Sequence, residues 1–168
     1  TNGDTTPLAG SPVGGSLTPI PNTGSDLAFE KDGSGSVTVT TDGFFADTIV
    51  AGTLSLGNGG EFGALTTDIV DNGTLSFNRS NALTHSNVIS GTGIVSQDGN
   101  GTTTLSGTNT YQGATNVNAG TLLITNASAL GTTDAGTTVA SGATLEIGGA
   151  LTVAEGLTLG GGTLATST

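Results

Sequence analysis

From about residue 26 onward the chain is built of short runs in which polar and apolar residues alternate: Val37-Thr38-Val39, Thr48-Ile49-Val50, Thr53-Leu54-Ser55-Leu56, Ile69-Val70 and Thr74-Leu75-Ser76-Phe77. Gly and Asn bound each run. In an extended chain successive side chains point to opposite faces, so a period of two between turn residues predicts half-buried β-strands. The alternation itself recurs. A Gly-Thr-Leu unit begins at Gly52, Gly73, Gly120 and Gly162, with variants at Gly93 and Gly142. Leu54 to Leu75 is 21 residues, Leu75 to Val95 is 20, Leu122 to Leu145 is 23 and Leu145 to Leu164 is 19, which sets a coil of about 20 residues.

One such coil cannot bury its apolar side alone. Stacked at roughly 4.8 Å per layer, coils hydrogen-bond strand over strand and enclose a narrow continuous core. The expected fold is therefore all-β, a parallel β-solenoid of about seven coils over residues 29–168. Inward positions are expected at Leu54, Leu56, Leu75, Phe77, Leu105, Val117, Leu122, Ile124, Leu145, Ile147, Leu157 and Leu159. At the C-terminal side, Gly162-Thr163-Leu164 reads as another strand with neither a helix nor a charged cap after it. A bare end of this kind is a template for further β-structure.

The densest stretch runs from Gly101 to Ile124, G-T-T-T-L-S-G-T-N-T-Y-Q-G-A-T-N-V-N-A-G-T-L-L-I. Its spaced residues Leu105, Gly107, Asn109, Thr110, Tyr111, Gly113, Thr115, Val117, Gly120, Thr121 and Leu122 resemble the autotransporter-associated β-strand repeat of secreted Gram-negative passenger proteins. Looser copies extend the resemblance over about residues 46–165. The resemblance implies a right-handed parallel β-helix exposed at a cell surface, usually without catalytic residues. Gly107, Asn109, Thr110, Tyr111, Gly113, Gly120, Thr121 and Leu122 are its structural positions here. Family members carry a C-terminal membrane barrel, which none of these 168 residues can form.

Residues 1–28 differ from the rest. All four prolines, Pro7, Pro12, Pro19 and Pro21, fall here among Gly, Ser and Thr. Proline fixes φ and removes a backbone donor, which excludes a helix or a central strand and leaves an extended tail or linker. Leu8, Val13, Leu17 and Ile20 recur every three to five residues, which a pure spacer has no reason to do. They are the expected anchors if this tail docks on a neighbouring copy. The opening Thr1, in place of Met, suggests processing or excision from a larger chain.

Composition narrows the function. With 30 glycines and only 9% charged residues, the chain cannot build charged helical surfaces. A net charge of -11, with Lys31 and Arg79 the only cations, disfavours nucleic acid and anionic membrane surfaces. The lack of cysteine suits passage through an oxidising compartment. No apolar run reaches the length of a membrane span, and no charged start with an apolar core marks a signal peptide.

Candidate chemistry is sparse. His85 is the only histidine and there is no cysteine, so zinc sites of the usual composition are excluded. His85 lies in a polar segment, Ser80 to Asn87, where a surface position is expected. Polysaccharide lyases and hydrolases share the solenoid fold but need converging carboxylates beside a base. Here Asp32, Asp42, Asp71, Asp98 and Asp134 are spaced singly in expected turns. Asp98 and Asn100 imitate the start of a calcium loop, yet the closing position 109 is Asn rather than Glu. The pairs Thr38/Thr40, Thr102/Thr104 and Thr108/Thr110 do not recur once per coil, so no ice-binding rank of Thr-x-Thr is expected.

The expected role is thus non-enzymatic, with no cofactor and no metal. It is a rigid solenoid for display or adhesion at the outside of a Gram-negative cell, held by the rest of a larger surface protein and facing host or surface ligands. The alternative is a filament in which other copies stack head-to-tail through their solenoid ends. A polysaccharide-active enzyme is the remote third reading.

Overall fold

The computed structural model describes residues 16–20, 28–43 and 46–168. None of them is helical, and they form short strands throughout. The first are β1 (Ser16–Ile20), β2 (Ala28–Asp32), β3 (Ser36–Val39), β4 (Asp42–Gly43), β5 (Ala46–Val50) and β6 (Thr53–Leu56). Next come β7 (Ala64–Leu65), β8 (Ile69–Asp71), β9 (Thr74–Phe77), β10 (Leu83–His85), β11 (Ile89–Ser90), β12 (Ile94–Gln97) and β13 (Thr102–Leu105). The last are β14 (Thr115–Val117), β15 (Thr121–Ile124), β16 (Thr137–Ala140), β17 (Thr144–Gly148), β18 (Leu157–Gly160) and β19 (Thr163–Ser167).

Three sheets wind around a common core. Their orders are β1-β2-β5-β8-β11, β3-β6-β9-β12-β14-β16-β18 and β10-β13-β15-β17-β19, with β4-β7 as a separate pair. The named strands pair in parallel, except that β1 runs antiparallel to β2. The stack makes about six turns, one fewer than the repeat count suggests, because the seven strands of the longest sheet enclose six intervals. Six layers correspond to a rod on the order of 30 Å.

Register decides what fills the core. In the longest sheet one inward column reads Val37, Leu54, Leu75, Val95, Thr115, Thr137, Leu157, and a second reads Val39, Leu56, Phe77, Gln97, Val117, Val139, Leu159. Between them Thr38, Ser55, Ser76, Ser96, Asn116, Thr138 and Thr158 form the outward column. A slip of one residue would exchange these sets, so the alternation fixes the pairing. In the third sheet the inward columns are Leu83, Thr103, Leu122, Leu145, Leu164 and His85, Leu105, Ile124, Ile147, Thr166.

The expected inward residues from Leu54 to Leu145 are all buried, and Ile147 is partly so. Leu157 and Leu159 depart from expectation, at 39% and 48% exposed. They stand in the right columns, but β18 is the outermost strand of its sheet, so nothing described lies over them.

At the corners glycines let backbones touch. A Cβ on Gly113 would collide with the carbonyl oxygen of Gly93 in the coil before it, and Gly120 has φ +56, which side chains other than glycine tolerate poorly. Of the expected tail anchors, Leu17 and Ile20 lie in β1, opposite Lys31 and Ala28, while Leu8 and Val13 fall outside the described residues. Pro19 sits in this same strand at the sheet's edge, where a missing donor is tolerated.

Candidate functional site

The polar residues of the Gly101–Ile124 stretch turn inward and join coils. Asn109 is 2% exposed, and its Oδ1 accepts the Ile89 N–H at 2.9 Å while its Nδ2 donates to Ala129 O at 2.7 Å. One side chain therefore ties the coil below to the coil above. Its neighbour Thr110 is exposed and is held through its backbone N–H to Ile89 O. Tyr111 is fully buried, with its hydroxyl 2.6 Å from Thr115 Oγ1. Burial of this phenol raises its pKa, with the Thr115 contact opposing the shift. Gly107 packs against Asn87 O, Thr121 is half-exposed in β15, and Leu122 is buried beside it.

Several residues differ from their expected surface or turn placement. His85 is 1% exposed, not a surface residue; its Nδ1 donates to Leu65 O at 3.3 Å and its ring lies 6.0 Å from that of Phe77. It occupies the inward column of Leu105, Ile124 and Ile147, and the alternation Leu83-Thr84-His85 was the signal for that. Desolvation lowers its pKa, with Leu65 O and the Asp68 charge opposing. Nε2 has no partner. A buried neutral imidazole of this kind supports packing, and among the described residues its one hydrogen-bond partner is Leu65 O.

Asp71 ends β8 and precedes a bend, as expected, but is fully buried. Its Oδ1 accepts the Gly73 N–H at 2.9 Å and its Oδ2 has no partner. Desolvation outweighs the bonds from the Gly73 and Leu75 amides and pushes its pKa up to about 6. Both cations are also buried. Lys31 donates to Gly33 O at 2.9 Å and Ala51 O at 2.7 Å, stitching the first coil to the second. Arg79 clamps an irregular segment, donating to Asp42 at 3.0 Å, Gly63 O at 3.3 Å, Glu61 O and Asn81 Oδ1. Sequence counts of charge could not reveal that neither cation faces solvent.

The calcium-like Asp98 is engaged with neighbours, accepting from Ser76 Oγ at 2.5 Å and Asn118 Nδ2 at 2.7 Å. Among the described residues no cluster of three His, Cys, Asp or Glu is placed to hold a metal. Thr102, Thr121, Thr144 and Thr163 stand in register as a single rank. The second rank that a flat face needs is absent there, because the parallel column is Thr104, Leu123, Glu146, Ala165.

The last coil is the remaining candidate surface. Leu157, Leu159 and Leu164 are 39%, 48% and 43% exposed. Behind them a cavity of about 180 Å³ is bounded by Ile124, Leu145, Ile147, Val153, Leu157 and Leu164. The Thr137 hydroxyl donates to Glu155 Oε1 at 2.7 Å at its rim, and burial raises the Glu155 pKa against that bond.

With this geometry in hand, comparison with known families gives one result. Residues 95–124 match the passenger-associated-transport-repeat. No curated protein and no solved structure matches the chain. The matched segment agrees with the resemblance read from Leu105 to Leu122 and covers β13, β14, β15 and all but the first residue of β12. The passenger-associated repeat and the solenoid together fit a structural module of an autotransporter passenger.

Proposed function

We propose that the chain is a non-enzymatic scaffold of a bacterial extracellular surface protein, a rigid solenoid that carries or displays other parts for contact or adhesion. The observation that supports this is how the polar groups of the matched segment are used. Both ends of the Asn109 amide and the Tyr111 hydroxyl bond inside the stack. A chain that commits its hydrogen-bonding side chains to coil joining gains rigidity rather than reactivity. Antibody raised against the folded solenoid should label intact producing cells, and protease applied outside them should remove the label. Labelling only after permeabilisation would overturn the surface assignment, and turnover on a panel of polysaccharides would revive an enzyme.

The exposed Leu157, Leu159 and Leu164 favour one second reading, in which copies stack head-to-tail into a filament. In it the Leu8, Val13, Leu17 and Ile20 segment of one copy contacts the next. Fibres in negative stain that vanish on deleting residues 1–25 or on Leu159→Asp would support it. Single short rods at every concentration would dismiss it.

A further inference from the structure

The chain contains four Asn-Gly pairs; Asn2-Gly3 lies outside the described residues, and the other three are Asn58-Gly59, Asn72-Gly73 and Asn100-Gly101. This dipeptide is the one most prone to spontaneous deamidation, because an unhindered glycine nitrogen can reach the preceding side-chain carbonyl. The nitrogen attacks Cγ of the asparagine and ammonia leaves. The resulting succinimide takes up one water at either carbonyl, giving aspartate or isoaspartate. Closing the ring requires the glycine N–H to lose its proton and hydrogen bond, and the backbone to rotate.

The three sites differ in how firmly the stack forbids this. Gly73 N–H donates at 2.9 Å to the buried Asp71 carboxyl, whose charge opposes removal of that proton. Its backbone also presses on Gly52, so closely that an added Cβ would overlap Gly52 O. The Asn72 side chain is held in turn, with Oδ1 accepting from Thr92 N at 3.3 Å and Thr92 Oγ1 at 3.4 Å. Gly101 N–H donates to Arg79 O at 2.9 Å, and its backbone lies against Asn81 in the same way.

Asn58 is held far less. Gly59 N–H does donate to Asn78 O at 2.8 Å, and on either side Gly57 N–H donates to Val39 O and Gly60 O accepts from Ser80 N–H. No atom comes within 4 Å of the position a Gly59 Cβ would take, so the backbone has room to turn. The Asn58 side chain is exposed and its amide has no hydrogen bond.

We propose that, of the three pairs in the described residues, Asn58-Gly59 is the one that deamidates spontaneously in the folded protein and that coil stacking protects Asn72 and Asn100. Conversion adds one negative charge to a chain whose net charge is already -11. The isoaspartate product also inserts a methylene into the backbone that Arg79 holds through Glu61 O and Gly63 O.

The test is to age the full chain in mildly alkaline buffer and follow each site by peptide mapping, with isoaspartyl methyltransferase labelling to mark the rearranged product. A parallel sample is held unfolded in urea. In the folded protein Asn58 should be modified at least about tenfold faster than Asn72 or Asn100, since opening a packed coil carries a larger local free energy than opening a surface turn. In urea all three should react at similar rates. Asn58→Gln should remove the product mapped to residue 58 and leave the urea sample reacting at Asn72 and Asn100. Equal rates at the three sites in the folded chain, or an Asn58 that stays intact while Asn72 or Asn100 reacts, would overturn the proposal.

Discussion

The Tyr111 hydroxyl and Thr115 Oγ1 meet at 2.6 Å inside a core where both residues are fully buried. A polar pair in such a place holds only because each satisfies the other. Tyr111→Phe keeps the ring and strands the Thr115 hydroxyl, so it should destabilise the fold by about 1–3 kcal/mol. Pairing it with Thr115→Val, which removes the orphan, should recover much of the loss. Urea midpoints of the single and double variants at unchanged slope measure both effects.

Gly113 and Gly156 separate packing from propensity. Gly113→Ala drives a methyl into Gly93 O and should cost about 1–3 kcal/mol or more. Nothing lies within 4 Å of a Cβ at Gly156, and its φ is not in the left-handed region. Gly156→Ala should be neutral or stabilising by up to about 1 kcal/mol. Thermal denaturation of the two variants side by side distinguishes them.

Asp71 and His85 make stability depend on pH in opposite senses. The folded pKa of Asp71 is raised from 3.8 to about 6, so its contribution is fully present below 3.8 and is lost as pH rises through 6. By linkage the loss is on the order of 3 kcal/mol at most. His85 is lowered from 6.5, so its contribution is present above 6.5 and is lost as pH falls through its folded value. Asp71→Asn should therefore raise stability most at neutral pH and remove the Asp71 share of the pH slope, leaving those of His85 and Glu155. An unchanged pH profile in that variant would remove Asp71 from the account.

Arg79 holds Glu61 O and Gly63 O as well as Asp42, which is itself 53% exposed. Most of its effect should come from the buried carbonyl contacts rather than from the exposed ion pair. Arg79→Ala should lower stability by about 1.5–3 kcal/mol. It should also speed chymotrypsin cleavage after Phe62, which is 61% exposed. Arg79→Lys keeps the charge but not the planar fork and should fall between. High salt should change the wild-type stability little.

The coil length and the longest columns were legible because a leucine or valine every 20 or so residues is a signal that nothing else in this composition imitates. What escaped the sequence has physical causes. Thr115 and Thr137 lie in the same inward column as Leu75 and Val95, and threonine's methyl and hydroxyl suit either face. His85 was masked by its polar neighbours, although it stands 20 residues before Leu105, its partner in register. Leu157 and Leu159 have the alternation of core residues, yet alternation says nothing about whether another layer follows. Burial of Lys31, Asp71 and Arg79 depends on carbonyls and glycines brought from other coils, which no local pattern encodes. At the candidate surface, the strand of Leu164 was readable as an uncovered one, and Leu164 is 43% exposed.

The reversal of β1 against β2 matters for how such a stack propagates. A parallel solenoid repeats one hydrogen-bond phase from layer to layer, much as a crystal repeats its cell, and each edge dictates the direction of the strand that follows. At β1 that phase is broken, like a grain boundary, and the edge beyond it no longer instructs a parallel neighbour in that sheet. The parallel stack is polar along its axis in any case, and the reversal adds a second difference between its ends, since in that sheet β1 presents the opposite strand direction.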